Sequence, residues 1–507
     1  MIRIAPKGAG AWHVVCAVRP AMKRILVGAA LAVIAVASPA EASRQVRCGT
    51  HVALAMRGAV APRRVSAPPP SAAGKRARDA FGRAPHARRS ASFILKWGDE
   101  GAVADETVDA LLAMLEVAWQ HEIEAMELPL PVGADTWLFN VYLYGTGLAV
   151  PDFGFSAYTG IDDEGYPYVV LPPDDLVTAE AIDLMQVTTA HEFFHAIQMG
   201  TGAYDAAAGS TGYWYWEATA DWMSLQIWTD SPVARDYLPF YLMAPHVGIE
   251  TVEFPDPDEF SPLQLHHYGA SLLPVYLSDQ VADRALVLAS WTTAGPADEP
   301  LAVLDGLLAE RGLDMGEVFA DFAATNALLD YPDRALIEES MGKTLAVYPD
   351  FDHQVAARLS PADGEVVAAP AATLPQAWAY NVIEIERADE VEVSIEADAV
   401  GSAGSPARLV TRLLPDDDVT RLVVVSEPDR SIPDETFAYR VTLTPPPDPP
   451  IEEPPTDGEG GCSAAGGTAS PPVALLLFVL LVRRRRQTAA ILTGGAASGR
   501  GPSGRAL

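Results

Sequence analysis

His191-Glu192-Phe193-Phe194-His195 sets two histidines four residues apart, with a glutamate directly after the first. On an α-helix, residues i and i+4 stack on one face, so both imidazoles can reach one ion. Zn²⁺ takes neutral imidazole at about 2.0–2.1 Å, and a catalytic zinc uses three protein ligands and a water. The cation lowers the pKa of that water toward about 7, and a carboxylate at the position of Glu192 can take its proton. The competing interpretation is a core helix with two incidental histidines.

A third ligand must come from elsewhere. The extended pattern H-E-x-x-H-x-x-G-x-x-H fails, because Gln198 and Thr201 stand where it needs glycine and histidine. Trp216-Glu217-Ala218-Thr219-Ala220-Asp221 supplies a carboxylate instead. Glu217 follows His195 by 22 residues, enough for a loop and a return helix. Asp221 lies one turn further on the same face, where it could accept the second N–H of a ligand histidine and fix its tautomer. A solvated acidic face would explain the same two acids. Tyr213, Trp214 and Trp216 beside them argue against it.

HEFFHAIQ followed by WEATADW resembles the gluzincin metallopeptidases, the thermolysin-like clan. The resemblance spans His191–Asp221. It implies an α+β fold with a two-lobed, zincin-like catalytic domain, the motif helix along the floor of a cleft and an edge strand lining it. It implies one catalytic Zn²⁺ held by His191, His195 and Glu217, with Glu192 as general base and Asp221 supporting a ligand. The substrates implied are proteins or peptides. The Gly-x-Met-Glu-Asn element of the aminopeptidase branch is absent, which favours endopeptidase action. An oxyanion donor is also needed, and His266-His267-Tyr268 at the head of an expected helix is the candidate source. Asp162, Asp163 and Glu164 could hold Ca²⁺ or simply form a turn; their spacing does not match an EF-hand loop. Serine-hydrolase and nucleotide-hydrolase motifs are missing.

These residues need a scaffold, and hydropathy periods predict one. Helices are expected at Glu106–Leu128, Thr178–Met199, Trp214–Trp228, Gly269–Gln280 and Pro300–Arg311, with Thr178 capping the motif helix and Gly200 at its end. Strands are expected at Trp137–Tyr144 and Tyr166–Leu171. Beyond about residue 345 the period falls from 3.6 to 2, with short runs at Asn381–Ile385, Val391–Ala397, Arg408–Leu414, Arg421–Ser426 and Phe437–Thr444. The expected organisation is a catalytic domain over 91–345 followed by a small all-β sandwich over 349–444.

The ends carry address signals. Met22-Lys23-Arg24, the apolar run Ile25–Ala37 and Ser38-Pro39-Ala40-Glu41-Ala42 read as a secretory signal over 22–42. Residues 43–90, rich in Ala, Pro and Arg, read as a disordered linker or a pro-segment. Residues 445–461 form a Pro/acid-rich linker. Residues 462–486 run from Cys462 through an apolar stretch, Ala464–Val482, to Arg483–Arg486. They resemble the C-terminal sorting tags of myxobacterial surface proteins. In those tags the Gly-Cys is the processing and anchoring point, which implies a membrane anchor. A low-complexity tail, 487–507, follows. Localisation is therefore expected to be exported and anchored at the cell surface, with release also open.

The 507 residues carry a formal charge of −32, unevenly spread. Residues 1–90 hold 16 Lys+Arg against 2 Asp+Glu, and residues 91–482 hold 13 against 65. So acidic a body repels phosphate backbones and disfavours nucleic-acid binding. With only Cys48 and Cys462 in the exported chain, neither a cysteine-based metal site nor a cysteine nucleophile is expected. The expected function is a surface-anchored zinc metallopeptidase. The alternatives are a non-catalytic adhesion or scaffold protein with a structural or vestigial zinc site, and a zinc hydrolase of non-peptide amides.

Overall fold

A computed structural model describes residues 48–50, 75–151, 157–173, 176–253, 260–360, 366–386, 392–397, 401–415, 419–428, 432 and 434–444. The expected signal, the Pro/acid-rich linker, the sorting tag and the tail lie outside these residues. Among the described residues no helix is long and apolar enough to cross a membrane.

The chain is α+β. Its first sheet has the order β1-β2-β3-β5-β4, built from β1 (His86–Arg89), β2 (Phe93–Trp97), β3 (Phe139–Leu143), β4 (Tyr158–Ile161) and β5 (Pro167–Leu171). β2, β3 and β5 run parallel, while β1 and β4 are antiparallel to their neighbours. Helix α1 (Asp105–Trp119) makes the crossover from β2 to β3. It continues into a π-helical turn, Gln120–Ala125, so the expected single helix over 106–128 changes its winding after Trp119.

Helix α2 (Ala179–Thr201) carries the histidine motif. The Thr178 hydroxyl accepts the Ala181 N–H at 3.1 Å and caps its start. The helix runs past Gly200 and stops at Gly202, whose φ of 70° is the left-handed conformation that ends helices. From Met185 almost every side chain of α2 is buried. Phe193 packs on the sheet beside Phe93, Trp119 and Phe139, with ring centroids 5.2–5.7 Å away. His191, His195 and Gln198 fall at i, i+4 and i+7 and face helix α3 (Tyr213–Ile227).

α3 returns antiparallel to α2. Ser224 donates to the Val187 carbonyl at one end, and Gln198 donates to the Trp216 carbonyl at the other. This hairpin sets Glu217 and Asp221 opposite the histidines. Behind it pack α4 (Leu238–Leu242), α5 (His266–Gly269), α6 (Leu272–Tyr276), α7 (Arg284–Thr293), α8 (Pro300–Ala309), α9 (Met315–Leu328) and α10 (Arg334–Val347). The helix expected over 269–280 is in pieces, α5 and α6 followed by a π-helical turn at Leu277–Val281. Gly269 sits where a Cβ would lie 2.6 Å from the Tyr237 carbonyl oxygen, so α5 can approach α4 closely.

The C-terminal strands form two sheets. One has the order β10 (Ala407–Leu414), β11 (Val419–Pro428), β8 (Ala379–Glu386), β6 (Ala357–Leu359). The other has β7 (Val366–Ala368), β12 (Tyr439–Thr444), β9 (Glu392–Ala397). Alternation along β8 and β11 divides their side chains between two faces. Ile383, Ile385, Leu422 and Val424 meet Tyr439, Val441 and Leu443 of the second sheet. Val382, Val423 and Val425 turn the other way, into the helical core. The described residues up to Thr444 fall within one compact unit.

The expected linker over 43–90 is ordered in part. Phe81 covers Tyr142 and Tyr168 on the sheet's far face. Asp79 accepts from the buried Lys96 ammonium at 2.6 Å, and Arg78 pairs with Asp162. Residues 48–50 also have a fixed place, described below.

Candidate metal centre and active site

The Nε2 atoms of His191 and His195 lie 3.0 Å apart, with rings nearly perpendicular at 89°. Glu217 Oε2 is 3.1 Å from the first and 3.3 Å from the second. A sulfur completes the group: Cys48 Sγ lies 3.4 Å from His195 Nε2 and 3.7 Å from Glu217 Oε1. Cys48, His191, His195 and Glu217 are all buried, and one ligand atom from each falls within 4.8 Å of all the others.

This group could hold a metal ion. A tetrahedral shell with bonds of about 2.0–2.3 Å has edges of about 3.3–3.8 Å. The observed separations cluster near that range, with the sulfur pairs the longest. The set is not the H-E-x-x-H motif as a unit. Glu192 is not a member, Glu217 comes from α3, and Cys48 comes from 147 residues before His195. Against the expectation of no cysteine in a metal site, Cys48 lies within this group.

The electrostatics call for a cation. A carboxylate and two imidazoles without solvent are costly unless a positive charge joins them. In the metal-free chain a proton serves. Burial opposes a charged His191, but the Asp221 and Glu217 carboxylates outweigh it and lift its pKa to about 10. Burial likewise opposes ionisation of Glu217, yet the His195 and His191 partners hold it well below the usual carboxylate range. Burial, then the charges of Glu192 and Glu217, push the Cys48 thiol well up.

The supporting shell is continuous. His191 Nδ1 lies 2.8 Å from Asp221 Oδ1, and His195 Nδ1 lies 2.6 Å from Gln198 Oε1. Gln198 is held by the Trp216 carbonyl and the Thr219 hydroxyl. Tyr213 donates to Glu217 Oε1 at 2.6 Å. Gln198 and Tyr213 were not singled out from sequence for these roles; i+3 spacing from His195 and i−4 spacing from Glu217 are the signals that mark them.

Glu192 is turned toward β4 and the 48–50 segment, beside the metal group. Its Oε2 accepts from Thr159 of β4 at 2.8 Å and from Thr50 at 3.0 Å. Its Oε1 is buried without a hydrogen-bond partner among the described residues. Burial raises its pKa, against the lowering effect of His191 and His195. A second buried acid, Glu122 on the π-helical turn, has neither carboxylate oxygen hydrogen-bonded among the described residues and feels the His191 charge. Sequence inspection missed it, and nothing in its spacing marks it.

The three candidate oxyanion donors separate. Tyr268 stacks obliquely on His191, with centroids 6.3 Å apart, and its hydroxyl donates to the Cys48 carbonyl at 3.3 Å. Burial and the Glu217 charge keep it a phenol. His267 packs on Tyr213. His266 packs on Tyr241, and burial lowers its pKa to about 3. At the expected calcium loop, Asp162 Oδ1 accepts the Glu164 and Tyr166 N–H groups, while Oδ2 meets Arg78. Glu164 also pairs with Arg78 at 3.3 Å. These oxygens close a turn and bind a guanidinium, the turn that stood beside Ca²⁺ binding as the other option.

A family model matches residues 83–412, and the chain belongs to that family, one of unknown function (DUF6055). The match contains His191–Asp221 and begins after Cys48. No curated protein and no solved structure matches the chain.

Proposed function

We propose that this protein is a zinc metallopeptidase of gluzincin type, acting outside the cell on protein or peptide substrates. His191, His195 and Glu217 would hold the ion. When bound, zinc acidifies a water and polarises a carbonyl. Glu192 supplies the base: a buried carboxylate of raised pKa takes a proton from water and returns it to the departing amine. The Tyr268 hydroxyl, on a ring that packs beside His191, would be the donor to the oxygen that gains charge. β4, the outer strand of the sheet, would offer backbone groups to an extended peptide once that edge is cleared. The thermolysin-like two-lobed architecture, export through residues 22–42 and anchoring through 462–486 belong to the same proposal, resting on the sequence resemblances.

One observation carries it: Glu192 is buried beside the metal group with an oxygen that has no hydrogen-bond partner among the described residues. A purely structural site has no use for such an acid. The alternative, a structural zinc in an adhesion or scaffold protein, is favoured by a different observation, the four protein side chains that close the group as structural sites are closed.

The test is zinc content and casein hydrolysis for wild type, Glu192→Gln and His195→Ala. The peptidase assignment expects Glu192→Gln to retain zinc and lose hydrolysis, and His195→Ala to lose both. Equal hydrolysis by wild type and Glu192→Gln would overturn the general-base role.

A further inference from the structure

We infer that Cys48 is a fourth protein ligand of the metal, and that Cys48-Gly49-Thr50 occupies the substrate strip and holds the site latent. The second half rests on the peptidase proposal above; the first does not.

Four contacts place this segment on four separate parts of the site. The Cys48 thiol lies among the ligand atoms of His195 and Glu217. The Cys48 carbonyl accepts the Tyr268 hydroxyl, the donor proposed for a substrate carbonyl. The Thr50 hydroxyl donates to Glu192 Oε2, occupying the base. The backbone pairs with the edge of the sheet. Cys48 bridges Ala157 in parallel register, Gly49 N–H donates to the Ala157 carbonyl at 2.8 Å, and Thr159 N–H donates to the Thr50 hydroxyl at 2.8 Å. An extended peptide added to β4 would need the same edge. Cys48 and Thr50 are 0% and 1% exposed, so the segment excludes water from the base and the ligands.

The chemistry of the thiol fits the position. Thiolate is a strong ligand for zinc and its spectroscopic substitutes, and coordination deprotonates it despite the burial that otherwise keeps it neutral. With sulfur in place, the shell has three side chains from the α2–α3 hairpin and one from a short segment far away in sequence. Displacing the whole segment opens a coordination position, the Tyr268 donor and the base together, and the sulfur–metal bond is what holds it down. Among the described residues this segment meets the sheet edge at Ala157 and Thr159, whereas the hairpin ligands sit on helices packed into the core.

The experiment uses the full chain, stripped of metal and reloaded with Co²⁺ for absorption spectroscopy or with saturating Zn²⁺ for hydrolysis of a fluorogenic peptide. Wild type should show a sulfur-to-cobalt charge-transfer band, and Cys48→Ala and Cys48→Ser should lack it while still binding one ion. If the open form is below about a tenth of the population, both variants should hydrolyse peptide at least about tenfold faster than wild type. The serine variant preserves side-chain volume and guards against a folding defect in the alanine variant. No charge-transfer band in wild type overturns the proposal, as does a wild type that hydrolyses peptide as fast as the variants. A band in wild type with no hydrolysis from any chain upholds Cys48 as the ligand and overturns the peptidase assignment instead.

Discussion

Asp221 Oδ1 lies 2.8 Å from Nδ1 of His191, on the ring nitrogen opposite the one that faces Glu217. One imidazole is thus gripped from both ends by acids one helical turn apart on α3. The outer carboxylate fixes the ring's orientation and makes Nε2 a better donor to a cation. Asp221→Asn should therefore bind metal about 10–100-fold more weakly, measured by competition with a chelator of known affinity. Unchanged affinity would show that the α2 helix alone orients the ring.

Glu192→Gln separates binding from chemistry. The amide keeps the size of the carboxylate and can still accept from Thr159, but it cannot take a proton. Metal stoichiometry should stay at the wild-type value while kcat falls about 10²–10⁴-fold, measured in a Cys48→Ala background where the site is open.

Tyr268→Phe removes the proposed oxyanion donor and leaves the ring that packs on Tyr237. In the same background a drop of about 10²–10³ in kcat, with metal retained, is expected. A change confined to KM would assign Tyr268 to substrate packing alone.

Metal uptake should release protons. His191 holds a proton up to about pH 10 in the metal-free chain, because Asp221 and Glu217 favour the imidazolium over the cost of burial. A ligand histidine must be neutral, so at any pH below that value the ion displaces this proton. Apparent affinity then rises by about tenfold per pH unit for each proton displaced. Calorimetry at pH 7.5 in buffers of different ionisation enthalpy should report at least one proton released per ion bound. The same shift has a stability consequence. The folded value lies above the ordinary 6.5, so the contribution of this imidazolium to the metal-free fold is complete below pH 6.5 and disappears as pH rises through about 10.

Phe193 anchors the motif helix to the sheet through Phe93, Trp119 and Phe139. Phe193→Ala should destabilise the metal-free fold by about 3–5 kcal/mol, read from the denaturation midpoint.

How much of this is legible in the sequence follows from spacing. His191 and His195 share a helical face by periodicity, and a carboxylate on the next helix reaches them because a short loop after Gly202 forces an antiparallel return. Asp221 follows from Glu217 by one turn. Cys48 is invisible to such reasoning. It sits in an Ala-, Pro- and Arg-rich stretch without periodicity, and only tertiary docking on β4 brings it across 147 residues to His195. Glu122 is hidden for a different reason, since a π-helical turn shifts its facing away from any α-helical pattern. The β strands announce themselves by alternation, yet alternation does not say which face meets a second sheet and which meets α9. Val382, Val423 and Val425 thus join the helical core while Ile383, Ile385, Leu422 and Val424 face the second sheet.

X-ray absorption at the zinc edge of the loaded wild-type chain tests the centre most directly. The expected shell is two imidazole nitrogens at about 2.0–2.1 Å, one carboxylate oxygen and one sulfur at about 2.3 Å. A first shell of oxygen alone, or a chain that takes up no zinc, would contradict it.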